Sequence, residues 1–142
     1  MTLRVRFSIG AISAAFLLTF AVAAQETTQT TPAPAQTTLD GVYSPAQATR
    51  GDGTFSSLCT GCHTASSFEG GSFLVWADTP LSELYTYLVE TMPEDAPGSL
   101  TPAQYADVVA FLLKTNDMPA GKEDLKPDTA ALGKITIKFR GR

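Results

Sequence analysis

Two stretches of the chain carry apolar residues at helical spacing. Leu81, Leu84, Tyr85, Leu88, Val89 and Met92 fall on one stripe, and Pro93 halts that helix directly after Met92. A second stripe runs through Tyr105, Val108, Val109, Phe111 and Leu112. It opens at Thr101 as cap, with Pro102 in the first turn and Gln104 completing a capping box. The same device recurs at Ser44, Pro45 and Gln47, which predict a helix running toward "CTGCH". Between these helices, "ASSFEGGSF" and "PEDAPGS" read as loop. One short stretch alternates instead: Lys134, Ile135, Thr136, Ile137, Lys138, Phe139 and Arg140 form a strand pattern with a basic face. The pattern as a whole predicts an all-α body.

The N-terminus changes the domain count. Arg4 and Arg6 precede a mostly apolar run from Phe7 to Val22, which ends in the small residues of "AVAAQ". That is a secretory signal peptide over residues 1–24, with cleavage after Ala23 or Ala24. The run is short of the roughly 20 strongly apolar residues a span needs, so a membrane role arises only if it is left uncleaved. Residues 25–38, "QETTQTTPAPAQTT", have no large apolar side chain and read as a flexible linker. The body then covers 39–121. A core that small needs a staple, and a disulfide closing the tiny loop between two cysteines three apart adds little.

Charge divides the chain. Gln25 to Gly121 holds 11 acidic side chains against Arg50 and Lys114 alone, whereas residues 122–142 hold six basic and three acidic ones. An acidic body disfavours nucleic acid and anionic membrane and favours a partner with a basic docking face. The basic C-terminal tail, 122–142, reads either as an edge strand laid on the body or as a disordered segment. A docking tail of this kind could be removed with haem spectra intact and partner association weakened.

Both cysteines and the only histidine of the chain lie in "CTGCH". A structural zinc site wants four Cys or His ligands and an iron–sulfur cluster four cysteines, more than the chain owns. A thioredoxin-type dithiol needs a strand before Cys-x-x-Cys, and here a capped helix precedes it. Covalent haem uses all three residues: Cys59 and Cys62 as thioether anchors, His63 as proximal iron ligand. The macrocycle then serves as the missing staple, and maturation outside the cytoplasm matches the signal peptide. For the sixth iron position the candidates are Met92, Met118 or an open site. Met92 is favoured, because it ends the apolar stripe and a proline-rich loop follows it.

In this order the motifs resemble the class I c-type cytochromes, over roughly Leu39 to Gly121. "CTGCH" is similar to the family's attachment motif. "RGDGTFSSLC" resembles its N-terminal helix and "YADVVAFLL" its C-terminal helix, with Phe111 expected across Gly51 and Phe55. "TMPEDAPGSLTPAQYADVVAFLLKTNDMPAG" more specifically resembles small periplasmic mono-haem cytochromes, and haem domains, associated with alcohol and sugar dehydrogenases.

The resemblance implies a small cytochrome c fold of three to four helices around one covalent haem c. It implies an iron held by His63 and Met92, with Cys59, Cys62, His63 and Met92 binding the cofactor. Apolar walls are expected from Phe55, Leu84, Leu88 and Phe111, and Trp76 could reach a propionate. The function implied is single-electron transfer in the periplasm, without catalysis. The donor would be a periplasmic dehydrogenase and the acceptor a terminal oxidase or another cytochrome. The alternatives are a tethered haem subunit of a dehydrogenase complex, or a haem sensor or peroxidase-like protein with a labile sixth ligand.

Overall fold

Helix α1, Pro45–Leu58, starts where Ser44 Oγ accepts the amide of Gln47 at 3.0 Å. Two internal glycines make it a poor helix by propensity alone, so tertiary packing must hold it. The computed structural model describes residues 35–141; the expected signal peptide and the expected linker as far as Pro34 lie outside the described residues. Short 3-10 turns occupy Thr38–Asp40, Ala65–Phe68 and Gly70–Trp76. Helix α2, Leu81–Thr91, ends with Met92 as C-cap, where Pro93 was expected to stop it. Helix α3, Pro102–Thr115, carries the complete Thr101–Gln104 capping box. A single turn, α4 (Thr129–Leu132), follows, and Gln36–Thr37 (β1) pairs in parallel with Ile135–Thr136 (β2). The protein is mainly helical, with a minimal two-stranded sheet, in keeping with the all-α expectation.

The core forms where α1 crosses α3. A side chain at Gly51 would set its Cβ 1.8 Å from the Asp107 carbonyl oxygen and 2.9 Å from Phe111 Cβ, so only glycine lets the helices approach this closely. The Phe55 and Phe111 rings meet beside that point at 5.1 Å, the pairing the family resemblance implies. Asp107 is nearly buried at the crossing, and its charge is matched by Arg50, whose Nε and Nη2 donate to its two oxygens at 3.1 Å each.

The C-terminal segment corrects the expected boundaries. The body does not stop at Gly121: Leu125, Leu132, Ile135 and Ile137 are all buried in the same core. Nor does it start at Leu39, since Thr38 is fully buried and exchanges two hydrogen bonds with the Lys138 backbone. Gln47 does not close a capping box on Ser44. Its amide turns across to the tail, with Nε2 donating to the Leu125 carbonyl at 2.9 Å and Oε1 accepting the Leu125 amide at 2.6 Å.

Arg50 Nη2 reaches Asp124 at 2.6 Å, and Ser44 Oγ donates to the same carboxylate. Farther along, Ile137 exchanges backbone bonds with Asp78 and Thr79, Phe139 packs edge-on to Phe73, and Lys138 pairs with Asp78. Only Ile135–Thr136 of the alternating stretch is strand, but Ile137 to Phe139 continue along the body, so the segment is laid on the domain as the edge-strand alternative expects. The alternation predicted this face, because the isoleucines it turns inward have apolar surface to bury.

Candidate haem cleft

The end of α1 builds one wall of a cleft. Cys59 caps that helix, and the amides of Cys62 and His63 both return to the Cys59 carbonyl, at 3.1 and 2.9 Å. This tight turn brings Cys59, Cys62 and His63 to the same side, and all three line a cavity of about 560 Å³. Both thiols are free, and burial pushes that of Cys59 above its ordinary pKa. The end of α2 supplies the opposite wall with Tyr87, Leu88 and Met92, and α3 adds Tyr105, Val108 and Leu112.

Met92 is held there by its backbone. Its amide donates to the Leu88 carbonyl at 2.9 Å, and its own carbonyl accepts the Tyr105 hydroxyl at 2.6 Å. Met118 is elsewhere: it is buried in the hydrophobic core, and its carbonyl accepts Tyr43 Oη at 2.6 Å. Of the two candidate methionines, only Met92 shares the cleft with His63.

Several expected walls differ. Phe55 and Leu88 line the cleft, but Leu84 and Phe111 belong to the core behind it. The apolar lining is completed by residues that the sequence reading passed over, Leu58, Phe68 and Leu100. Phe68 stands with its ring centroid 5.1 Å from that of His63 and 5.9 Å from that of Phe55. It lies in a turn-rich loop with no periodicity, so only its size and aromaticity could have marked it. Trp76 does not line the cleft; its ring meets that of Tyr87, tilted by 57° at 5.4 Å, and Tyr87 does line it. Glu94 and Asp95 stand at the rim, and no lysine or arginine is among the lining residues.

These residues fit a covalently attached porphyrin. The walls are mostly aliphatic and aromatic, as a large apolar macrocycle requires. Two unpaired thiols, an imidazole and a thioether converge on the same volume. The family model for the cytochrome c oxidase, cbb3-type, subunit III matches residues 46–112, from the first turn of α1 through the cleft-lining face of α3. Residues 46–112 are a class I c-type cytochrome domain. No curated protein and no solved structure matches it. As a member of that family this cytochrome carries haem c, bound covalently with its iron, and serves haem-based electron transfer with redox protein partners. The matched residues include the attachment motif and exclude the C-terminal segment that closes the core.

Proposed function

We propose that this cytochrome is an exported, mono-haem carrier of single electrons in which Cys59 and Cys62 anchor the porphyrin and His63 and Met92 bind the iron. The observation that carries this reading is the shared cleft: the α1 terminus contributes Cys59, Cys62 and His63, and the α2 terminus contributes Met92 to the same cavity. Bound haem supplies a one-electron iron couple. Thioether ligation by Met92 favours the reduced state relative to a second imidazole and raises the potential. Phe55, Phe68, Leu88 and Val108 keep water from the site and act in the same direction. With His63 and Met92 both taken up by iron, no coordination position is left for a substrate, so the protein acts as a carrier and not as an enzyme.

The signal peptide of residues 1–24 and the extracytoplasmic maturation of such haem support a periplasmic location. Glu94 and Asp95 at the rim, within a strongly acidic body, favour a donor and an acceptor with basic docking faces. A periplasmic dehydrogenase as donor and a terminal oxidase or second cytochrome as acceptor fit that role. Association should weaken steeply as salt rises.

The decisive test is the optical spectrum of the periplasmic protein, oxidised and reduced, with a denatured pyridine haemochrome beside it. A c-type haemochrome and the weak sulfur-to-iron band of the oxidised form are expected, and Met92→Ala should abolish the band alone. A wild-type protein with haem but without the band would defeat Met92 ligation. Carbon monoxide binding to the reduced wild type would point to a sensor or peroxidase-like protein instead.

A second reading has one observation in its favour. Val75 is a large apolar side chain left 72% exposed outside the cleft that would hold the haem. Such a side chain suits a haem subunit held permanently in a larger dehydrogenase complex. Size-exclusion of the native protein distinguishes the two: co-elution with a large subunit excludes free diffusion, and elution as a small monomer excludes the complex.

A further inference from the structure

Asn116 lies beyond the residues 46–112 that match the family model, and its side chain reaches the loop that follows His63. It ends α3 as C-cap, where its own amide returns to the carbonyls of Leu112 and Leu113. Its side chain bridges the helix and the loop. Nδ2 donates to the Phe68 carbonyl at 2.8 Å and to the Leu112 carbonyl at 2.9 Å, while Oδ1 accepts the Gly70 amide at 3.1 Å. One carboxamide thus ties the end of α3 to both sides of Glu69. Within that loop, the Thr64 hydroxyl bonds only to the neighbouring Ser66 and Ser67 hydroxyls, so it does not fix the loop to the body.

The residue pinned in this way is the one that meets the imidazole. The Phe68 ring stands at 62° to that of His63 and at 89° to that of Phe55, so it is wedged between α1 and the histidine. Phe68 also lines the cleft with His63. A shift of its backbone would move the ring that limits rotation of the imidazole about its Cα–Cβ and Cβ–Cγ bonds. In a low-spin haem the orientation of the imidazole plane sets the splitting of the iron d orbitals, and hence the electron-transfer properties of the iron.

We infer that Asn116 is a positioning residue for the axial ligand, holding Phe68 through its Nδ2 bond so that the Phe68 ring fixes the plane of the His63 imidazole. The inference rests on the proposed ligation of iron by His63 and deepens it. The two donor bonds carry the effect, and the Gly70 bond to Oδ1 is secondary. Asn116→Asp separates these parts, since a carboxylate still accepts from Gly70 but donates nothing to Phe68.

The experiment is electron paramagnetic resonance and redox titration of the oxidised, haem-loaded full chain. The variants are Asn116→Ala, Asn116→Asp, Phe68→Leu, and the double variant Asn116→Ala with Phe68→Leu. The expected result is a changed g-value spread and a shifted potential in each single variant. Asn116→Asp should resemble Asn116→Ala, and the double variant should shift no further than the larger single one, because both act through one contact.

Wild-type g values in Asn116→Ala, additive shifts in the double variant, or a wild-type signal from Asn116→Asp would each overturn the proposal. If Asn116→Ala yields no folded protein, Phe68→Leu still decides: an unchanged signal there excludes the aromatic link. Failure of the parent reading is seen separately, because wild-type protein would then lack the histidine–methionine low-spin signal before any substitution is made. That outcome would overturn both.

Discussion

The Tyr105 hydroxyl donates to the Met92 carbonyl at 2.6 Å, tying the residue that ends α2 to the first turns of α3. The bond joins two positions that the sequence reading treated separately, one as a candidate ligand and one as a core aromatic. Its effect is mechanical. Met92 begins the loop of residues 92–100, where the chain leaves α2, and a fixed carbonyl limits how far the side chain can withdraw from the cleft.

Tyr105→Phe keeps the ring and removes the donor. The expected cost is about 1 kcal/mol of stability, the ordinary net value of one such bond. The more specific outcome concerns the sixth position: added imidazole should displace the methionine from ferric protein at lower concentration than in wild type. Titration followed at the sulfur-to-iron band measures this. An unchanged midpoint would mean that the bond does not restrain Met92.

Gly51→Ala tests the helix crossing. Its Cβ would lie 1.8 Å from the Asp107 carbonyl oxygen, and backbone cannot swing aside as a flexible side chain can. The helices must separate, and a loss on the order of 3 kcal/mol is expected, at the upper end for overpacking. Denaturant unfolding of the haem-loaded protein gives the value. Gly53→Ala is the control, because a Cβ there meets nothing within 4 Å and should be neutral or mildly stabilising.

Removing the C-terminal segment should damage the fold, contrary to the expectation of a dispensable docking tail. Leu125, Leu132, Ile135 and Ile137 are buried, and each such side chain contributes roughly 1.5–3 kcal/mol. Together they approach the roughly 5–15 kcal/mol that stabilises a whole domain. Deletion of residues 122–142 is therefore expected to give little folded protein. Ile137→Ala, at a fully buried site, should cost about 2–5 kcal/mol. A truncated protein with wild-type thermal stability would refute the structural role.

Acid should loosen the same segment. The Asp124 carboxyl is held below its ordinary value of 3.8 by the hydrogen bond from Ser44 and then by Arg50. A pKa lower in the folded than in the unfolded state means stability present above the unfolded value and lost as pH falls through the folded one. The contribution is therefore complete near neutrality and declines below about pH 4. Because Arg50 and Asp124 are both half exposed, solvent screens the pair and the effect is small. Asp124→Asn should lower stability at pH 7 and flatten its acid dependence, which thermal melts across pH would show.

The local elements were legible in the sequence. The Thr101–Gln104 box and the stop at Pro93 depend on neighbours within a few positions, and the structure holds them as expected; the three residues of "CTGCH" lie in one turn and line one cavity. The walls of the cleft were legible only in part. Helical spacing cannot distinguish core from cleft: Leu84 and Leu88 share a stripe, yet only Leu88 lines the cavity. A stripe shows which face of a helix is apolar, not which apolar neighbour covers it.

What the sequence determined by itself was therefore short-range: where helices start and stop, and that two thiols and an imidazole share one turn. Tertiary structure decided the pairings between distant positions. Gln47, read as a local cap, bonds instead to Leu125, and the basic tail buries its isoleucines in the core. Met92 faces the cleft while Met118 fills the interior. The physical reason is common to all three. A side chain's hydrogen-bonding and apolar surface can be met by any suitable group, and only the folded chain selects which one lies within reach.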